Sequence, residues 1–256
     1  MSIPLWKRNV QFVLVEPRES GNIGASARAM KNMGFGSLCL VNPPDPLGDE
    51  ALWLAHNARE ILADASTHPS LERALTGAAV VVGTSRRTGR QRGLILPIEE
   101  GARRINALAQ RNAVALLFGR EDRGLYNDEI EQCGFLVHIP ADRKQPSLNL
   151  AQAVLLVAYE LDKVGRSHGK NDDTPYKSPE LVPQEQIGHF YRRMAHTLHL
   201  LGYFPRGDRR LEHKILKNLK FFIGRAGLTE WELHMLMGIC TQIEKKLGDE
   251  KSDSIK

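Results

Sequence analysis

Short apolar runs alternate with helical patterns along the N-terminal part of this chain. Five runs have the length and continuity of strands buried on both faces, and they occupy residues 10–15, 37–41, 79–82, 113–118 and 135–139. Helical patterns occupy residues 23–35, 50–62, 70–75 and 97–109, and a strongly apolar helix follows at residues 148–161. Strands that alternate with helices predict an α/β fold with a mostly parallel sheet.

Loops rich in glycine or polar residues follow four of the predicted strands, at residues 16–21, 83–93, 119–124 and 141–147. In open parallel sheets ligands bind at the carboxyl ends of the strands, so the pattern predicts a ligand site at one edge of the sheet. Ser147 is placed to cap the apolar helix that follows the last loop. The free N–H groups and the dipole of that helix start suit a polar, partly anionic ligand.

The pattern changes after residue 163. Residues 164–183 are rich in polar residues, glycine and proline, which is typical of a mobile linker. Three helices are then predicted at residues 184–201, 209–224 and 229–246, with a capping box from Thr229 to Glu232. The chain thus divides into an α/β domain (1–163), a linker (164–183), a helical domain (184–247) and a disordered tail (248–256). We expect removal of residues 164–256 to leave the first fold intact.

Positive charge is concentrated in the C-terminal helices. The 256 residues carry 35 Lys and Arg against 30 Asp and Glu, a net charge of +5. Residues 1–163 hold 19 basic against 18 acidic residues, whereas residues 184–247 hold 11 against 6. This distribution favours a polyanionic partner, RNA or DNA, and the alternative is a solvated basic face.

The apolar segments and the cysteines predict a cytoplasmic protein. The longest apolar runs fall far short of the roughly 20 residues that span a bilayer. The N-terminal residues lack the apolar core of a secretory signal. Cys39, Cys133 and Cys240 lie far apart without metal-binding spacing. We therefore expect reduced thiols, no membrane contact and no metal site.

The first candidate motif is SGNIGASARAMKNMG, residues 20–34. A dinucleotide-binding fingerprint is one alternative, but the segment lacks the G-x-G-x-x-G spacing and no acidic residue ends the second strand. In another alternative, Asn22 caps the helix and Arg28 is an ordinary surface residue. Because the neighbours of Arg28 are small, we expect its side chain to emerge beside the loop edge.

Two further motifs follow the fourth and fifth predicted strands. In GREDRG, residues 119–124, Gly119 permits a tight turn and close approach of a ligand, and Glu121 adds charge. The alternative is a turn with a surface ion pair. In PSLNLAQAV, residues 146–154, Asn149 lies in an apolar helix start, where a buried amide needs partners. It is alternatively a satisfied core residue.

Taken together and in this order, the three motifs resemble the SPOUT (SpoU/TrmH-type) family of RNA 2′-O-methyltransferases over about residues 8–163. The C-terminal part, with its Leu-Gly-aromatic-x-Pro turn at residues 201–205 and its basic helix, resembles the extension of the TrmJ-type tRNA methyltransferases. This resemblance implies a deep trefoil knot, in which the chain from Ile139 onward threads through the loop that contains GREDRG. It also implies S-adenosyl-L-methionine as cofactor.

The resemblance implies three sets of site residues. The cofactor set is Thr84, Ser85, Arg86, Gly119, Ile139, Pro146, Ser147 and Leu148. Pro146 departs from the TrmJ pattern, which usually has Ser there, and it offers no N–H group. The catalytic set is Arg28, Asn22, Glu121, Ser147 and Asn149. The RNA-binding set is Arg209, Arg210, Lys214, Lys217 and Lys220.

The implied activity is methylation of a ribose 2′-hydroxyl in tRNA, on cytidine or uridine at position 32 of the anticodon loop. Arg28 would act as base or, because a guanidinium is nearly always protonated, as an electrostatic stabiliser. Family members are homodimers, and residues 150–161 would form the interface, unless that helix is buried within one chain. The alternatives are a related enzyme for ribosomal RNA or another tRNA position, a non-catalytic RNA-binding protein, and a dinucleotide-dependent oxidoreductase.

Overall fold

A computed structural model describes residues 3–44, 48–87, 89, 92–171, 178–204 and 209–253. Seven strands form one sheet: β1 Val10–Val15, β2 Leu38–Val41, β3 Ser66–His68, β4 Val80–Thr84, β5 Ile95–Pro97, β6 Val114–Phe118 and β7 Phe135–His138. Their order is β3-β2-β1-β6-β4-β7-β5, and every neighbouring pair is parallel. The predicted α/β fold with a parallel sheet is confirmed.

The sequence missed the two strands at the edges of the sheet. β3 is three residues long and contains no apolar run, and β5 ends on Pro97. A strand with one neighbour needs less apolar surface and tolerates proline, so neither segment has the pattern of a buried strand.

Helices cover both faces of the sheet. They are α1 Leu5–Arg8, α2 Ser20–Asn32, α3 Asp49–Ala55, α4 Arg59–Ala63, α5 Leu71–Ala74, α6 Ile98–Ala109, α7 Asn127–Ile130 and α8 Leu150–Asn171. Val10, Phe12 and Leu14 pack with residues of α2, α6 and α8, whereas Val13 and Val15 face the opposite cluster. Successive strand residues alternate between faces, so the all-apolar β1 fits a sheet covered on both sides.

The predicted helix at residues 50–62 is divided. A 3₁₀ turn, His56–Ala58, separates α3 from α4, and His56 has a φ of 49°. A residue with positive φ ends an α-helix, so the chain turns here and α4 continues in a new direction.

The start of α8 differs from the prediction that Ser147 caps it. The helix begins at Leu150, and the Oδ1 atom of Asn149 accepts hydrogen bonds from the N–H groups of Ala151 at 2.9 Å and Gln152 at 3.4 Å. Ser147 lies too far before the first turn to reach those groups. Asn149 is the cap.

The predicted linker is largely ordered. α8 continues to Asn171, and no proline interrupts it between residues 163 and 171. Residues 172–177 lie outside the described part. Beyond them, the Ser178 hydroxyl donates to the carbonyl of Ala107 at 2.9 Å, and the Leu181 N–H donates to Asn112 Oδ1 at 2.8 Å. These two hydrogen bonds attach residues 178–183 to the first domain, and a mobile linker is wrong for residues 164–171 and 178–183.

Three further helices complete the chain: α9 Gln184–Leu200, α10 Arg209–Ala226 and α11 Glu230–Asp253. The predicted capping box is present, since the Thr229 N–H donates to Glu232 Oε2 at 2.8 Å and the Glu232 N–H to Thr229 Oγ1 at 3.3 Å. α11 includes residues 248–253, where the sequence predicted disorder; Gly248 alone does not end a helix rich in good helix formers. Residues 254–256 lie outside the described part.

The C-terminal helices have a core of their own, formed by Val182, Ile187, Phe190, Ile223, Leu228, Leu233 and Cys240. Within the described ranges, no helix is both long and apolar enough to cross a bilayer.

Candidate functional site

A cavity lies at the carboxyl edge of the sheet, and we call it the edge cavity. Its walls are the ends of β4, β6 and β7 and the start of α8. All eight residues of the predicted cofactor set line it: Thr84, Ser85, Arg86, Gly119, Ile139, Pro146, Ser147 and Leu148. The sequence missed further lining residues, which include Arg87, Arg92, Phe118, Arg120, Leu125, Leu150 and Ala153. Three of the four loops that the sequence placed at one edge of the sheet, 83–93, 119–124 and 141–147, therefore contribute to one space, and the loop at 16–21 does not line it.

The turn after β6 forms one wall of the edge cavity. A Cβ atom at Gly119 would lie 2.1 Å from the carbonyl carbon of Gly124, and Gly124 itself has a φ of +68°. The Gly124 N–H donates to the Arg120 carbonyl at 2.8 Å. Only glycine allows this closeness at the first position and this backbone conformation at the second. The two glycines therefore hold the turn tight against the end of β6.

Arg120 holds this turn in place, and it is buried, with 5% of its surface exposed. Its Nε atom donates to Glu16 Oε2 at 2.9 Å, and its Nη1 atom donates to Glu129 Oε2 at 3.0 Å. Burial lowers the pKa of Arg120, but the hydrogen bonds to Glu16 and Glu129 outweigh it and raise the pKa overall. The guanidinium also lies 3.9 Å from the centre of the Tyr126 ring. In the sequence, the only sign of this residue was its place in GREDRG. The motif did not show that Glu16 and Glu129 would be its partners.

The three motifs meet in one hydrogen-bond chain, which we call the amide network. Asn149 Nδ2 donates to Asn22 Oδ1 at 2.8 Å, and Asn22 Nδ2 donates to Glu121 Oε1 at 2.8 Å. Asn22 is 7% exposed, and it also donates to Glu19 at 3.2 Å. A buried amide is stable only when its donors and acceptors are satisfied, which this chain achieves. Glu121 belongs both to the amide network and to the wall of the edge cavity.

The end of β4 is fixed by short polar contacts. Thr84 Oγ1 donates to the Leu117 carbonyl at 2.9 Å, and the Ser85 N–H donates to the Val137 carbonyl at 3.0 Å. Arg92 Nη1 donates to Ser85 Oγ at 3.3 Å. Burial and the charge of Arg87 lower the pKa of Arg92. Several arginines therefore face the cavity at close range, which suits an anionic group.

The structure does not bring Arg28 to the edge cavity within one chain. Arg28 follows Asn22 by six residues on α2, about 240° around the helix and about 9 Å along it. Its exposed side chain lines a separate depression with Lys31, His56 and Asn57. The expectation that Arg28 emerges beside the loop edge is therefore wrong for a single chain, because the face of α2 that carries Asn22 is a different one.

The predicted RNA-binding set on α10 is divided. Lys214 is exposed, as is Arg210. Lys217 instead pairs with Glu131 at 3.0 Å, and Lys220 lies 6.0 Å from the centre of the Tyr191 ring. The side chain of Arg209 lies outside the described part. Lys217 and Lys220 therefore contact other parts of the protein, whereas Arg210 and Lys214 are exposed.

Within the described residues, no group of His, Cys, Asp and Glu is arranged to hold a metal ion.

Comparison with known proteins agrees with this geometry. Residues 9–159 match the model of the SpoU rRNA Methylase family, and the chain belongs to this family. The family resemblance and the fold predicted from it are confirmed; the knot stays a prediction. A relative is the tRNA (cytidine/uridine-2′-O-)-methyltransferase TrmJ of Sodalis glossinidius, 39% identical, with 92% of this chain and 91% of that protein covered.

Two solved structures resemble different lengths of the chain. TrmJ from Z. mobilis ZM4 superposes with a TM-score of 0.76 and 29% identity, covering 91% of this chain and 98% of that one. A structure described as insight into the 2-OH methylation of C/U34 on tRNA has a TM-score of 0.50 and 27% identity. It covers 62% of this chain and 97% of that one, so that protein has no counterpart for much of this chain.

Proposed function

We propose that this protein is an S-adenosyl-L-methionine-dependent tRNA ribose 2′-O-methyltransferase that acts on cytidine or uridine at position 32 of the anticodon loop. The observation that carries the proposal is the amide network, since Asn22, Glu121 and Asn149, from three separate motifs, meet beside one cavity. Similarity to TrmJ over both the α/β part and the helical part supports a tRNA substrate.

The edge cavity fits the proposed cofactor by its chemistry. Phe118, Ile139 and Leu148 offer apolar surface for an adenine ring, and Arg86 and Arg92 offer charge for a carboxylate. Pro146 lines the cavity but has no N–H to donate, so any contact from it is through its ring or its carbonyl. When bound, the sulfonium supplies a methyl group that is already activated.

The remaining task of the protein is to place the ribose and to favour loss of its proton. Asn22, Glu121 and Asn149 hold one another in fixed orientations, and Ser147 lines the same cavity. Because a guanidinium rarely gives up its proton, we assign Arg28 to stabilising the developing alkoxide or to orienting a phosphate. Arg28 faces away from the cavity of its own chain, so it acts in the site of a second subunit.

A homodimer supplies that second subunit, and α8 is the proposed interface. One face of α8 is buried in its own chain through Val154, Val157 and Leu161. The other face exposes Leu155, Leu156 and Tyr159, the last with 50% of its surface accessible. Three neighbouring exposed apolar side chains on one helix face favour a protein interface. Burial of one face within the chain therefore leaves the other face for the proposed interface.

The C-terminal helices are proposed to hold the tRNA by its phosphates, through Arg210 and Lys214. The related C/U34 protein lacks a counterpart for much of this chain, which favours position 32 over position 34. A cytoplasmic location follows from a tRNA substrate. Enzymes for ribosomal RNA or another tRNA position are the second candidate.

The test is methylation of unmodified tRNA transcripts with S-adenosyl-L-methionine, followed by mass mapping of the ribose methyl groups. We expect one methyl group at position 32, and none in a transcript with 2′-deoxyribose there. Arg28→Ala should abolish turnover with modest loss of cofactor affinity, whereas Arg8→Ala, at an exposed position on α1, serves as control. Methylation at position 34 would show that the modified nucleotide is not position 32. Absence of any methylation would contradict the proposal that the protein is an enzyme. Near-normal turnover by Arg28→Ala would remove this residue from the mechanism.

A further inference from the structure

Phe221 of α10 is buried in the α/β domain, although it belongs to a helix of the C-terminal part. It is 6% exposed and joins the cluster that contains Leu125, Cys133 and Leu136. Its ring lies against Gly93, where an added Cβ atom would be 3.2 Å from Phe221 Cδ1. Gly93 has a φ of +81°, so its backbone conformation and its lack of a side chain both fit this contact.

Contacts on both sides of Phe221 hold α10 in place. Toward its N-terminal side, Lys217 pairs with Glu131 at 3.0 Å. Toward its C-terminal side, an added Cβ atom at Gly134 would lie 1.9 Å from the Gly224 carbonyl oxygen, so the two backbones touch. The guanidinium of Arg104 also donates to the carbonyl of Arg225. The helix is therefore fixed on the α/β domain over about two turns.

The surface that Phe221 contacts is the back of the edge cavity. Arg92 precedes Gly93, lines the cavity and donates to Ser85 Oγ at 3.3 Å. The Leu94 carbonyl accepts from the Leu136 N–H at 2.8 Å, which ties the same segment to β7. Leu125, in the cluster with Phe221, also lines the cavity. Phe221 therefore packs on the segment that carries Arg92, and it shares an apolar cluster with a second residue of the cavity lining.

We infer that Phe221 is a positioning residue for the cofactor: by packing on Gly93, it holds Arg92 and Ser85 in the conformation that binds S-adenosyl-L-methionine. This inference rests on the proposed function of the edge cavity. The same helix carries the residues proposed to bind RNA, so RNA binding and cofactor binding are coupled through α10. Thermodynamic linkage requires such a coupling to act equally in both directions.

The neighbouring Phe222 gives a matched control. It has the same side chain on the same helix, but it is 71% exposed, and it lies outside the cluster around Phe221. A change at Phe222 removes the same atoms and alters helix propensity equally. Any difference between the two positions therefore reports the buried contact.

The experiment is calorimetric titration of the full-length protein with S-adenosyl-L-methionine in the absence of RNA. We expect Phe221→Ala to weaken binding at least about fivefold, the lower end of usual coupling energies, Phe222→Ala to match the wild type, and Phe221→Leu to lie between. In turnover assays, Phe221→Ala should raise the KM for the cofactor, with kcat at saturating cofactor and tRNA close to the wild-type value. A purely structural role would lower the melting temperature and the active fraction, without changing the KM.

The outcomes separate the inference from the function on which it rests. A wild-type protein that binds no cofactor contradicts the proposed function. If the wild type binds S-adenosyl-L-methionine and Phe221→Ala binds it with equal affinity, only the positioning role is overturned. If Phe221→Ala does not fold, Phe221→Leu decides: wild-type affinity overturns the inference, and weakened affinity with an unchanged fold supports it. Equal weakening by Phe222→Ala also overturns it.

Discussion

Asn149 shows how one side chain connects the start of a helix to the site. Its Oδ1 atom caps α8, and its Nδ2 atom donates to Asn22 in the amide network. An asparagine fits both tasks, because it carries an acceptor and a donor on one planar group. Neither serine nor aspartate does so, since serine is too short to span both contacts and aspartate has no donor.

We predict that Asn149→Asp separates the two tasks. Aspartate keeps an oxygen for the cap, so the melting temperature should change little, but it cannot donate to Asn22, and turnover should fall by at least about tenfold, the equivalent of about 1.4 kcal/mol. Asn149→Ala should lose turnover as well as about 1 kcal/mol of stability. Thermal unfolding and single-turnover rates measure the two effects. Wild-type turnover by the aspartate variant would show that the donated hydrogen bond is dispensable.

At the scale of elements, α2 is positioned by its small residues. An added Cβ atom at Gly24 would lie 2.1 Å from the Ala51 carbonyl oxygen, so α2 and α3 pack with their backbones in close contact. This packing sets the depth of α2, and therefore the place of Asn22. The sequence predicted close packing of this helix on the sheet, and α3 is the partner that the glycine requires.

We predict that Gly24→Ala destabilises the protein by about 2 kcal/mol, as overpacking against rigid backbone does. Turnover should also fall, because α2 must shift and carry Asn22 with it. Gly36→Ala is the control, since nothing lies within 4 Å of an added Cβ atom there. Its unfolding free energy should stay within about 0.5 kcal/mol of the wild type. Chemical denaturation of both variants measures their unfolding free energies. A Gly24→Ala variant as stable as the wild type would contradict the close contact between α2 and α3.

At the scale of the whole molecule, the C-terminal part is packed on the α/β domain. Leu181 joins the main core, Phe221 joins the cluster on the opposite face, and Gly165 of α8 packs on the ring of Trp6. These contacts favour the opposite outcome to the expectation that removal of residues 164–256 leaves the first fold intact. Such a deletion would cut α8 and uncover apolar surface on both sides of the sheet.

We predict that a chain of residues 1–163 unfolds at a lower temperature than the full chain and loses the salt-dependent part of its affinity for tRNA. A chain that lacks only residues 254–256 is the control, and it should keep both properties. Calorimetric melting and binding at two salt concentrations measure the changes. An unchanged melting temperature would mean that these contacts contribute little stability, and an unchanged salt dependence would exclude the helical part as the phosphate anchor.

The sequence predicted the regular elements better than the contacts between distant ones. Continuous apolar strands such as β1 and β6 and the capping box at Thr229 are local signals, and they were recovered. The edge strands β3 and β5 and the contact of Arg120 with Glu16 depend on neighbours far along the chain. The Asn149 cap is local, but Ser147 was predicted for that task. The direction of Arg28 depends on which face of α2 meets the sheet, and spacing alone did not settle that.

The close approach of Gly134 and Gly224 fixes the position of α10 along its own axis on the α/β domain. If α10 slid by a single position, the side chain of Ile223 or Arg225 would have to occupy a space that admits only hydrogen atoms. The helix therefore has one permitted setting on the α/β domain. This position also determines how deeply each residue of α10 is buried, including Phe221 behind the cavity.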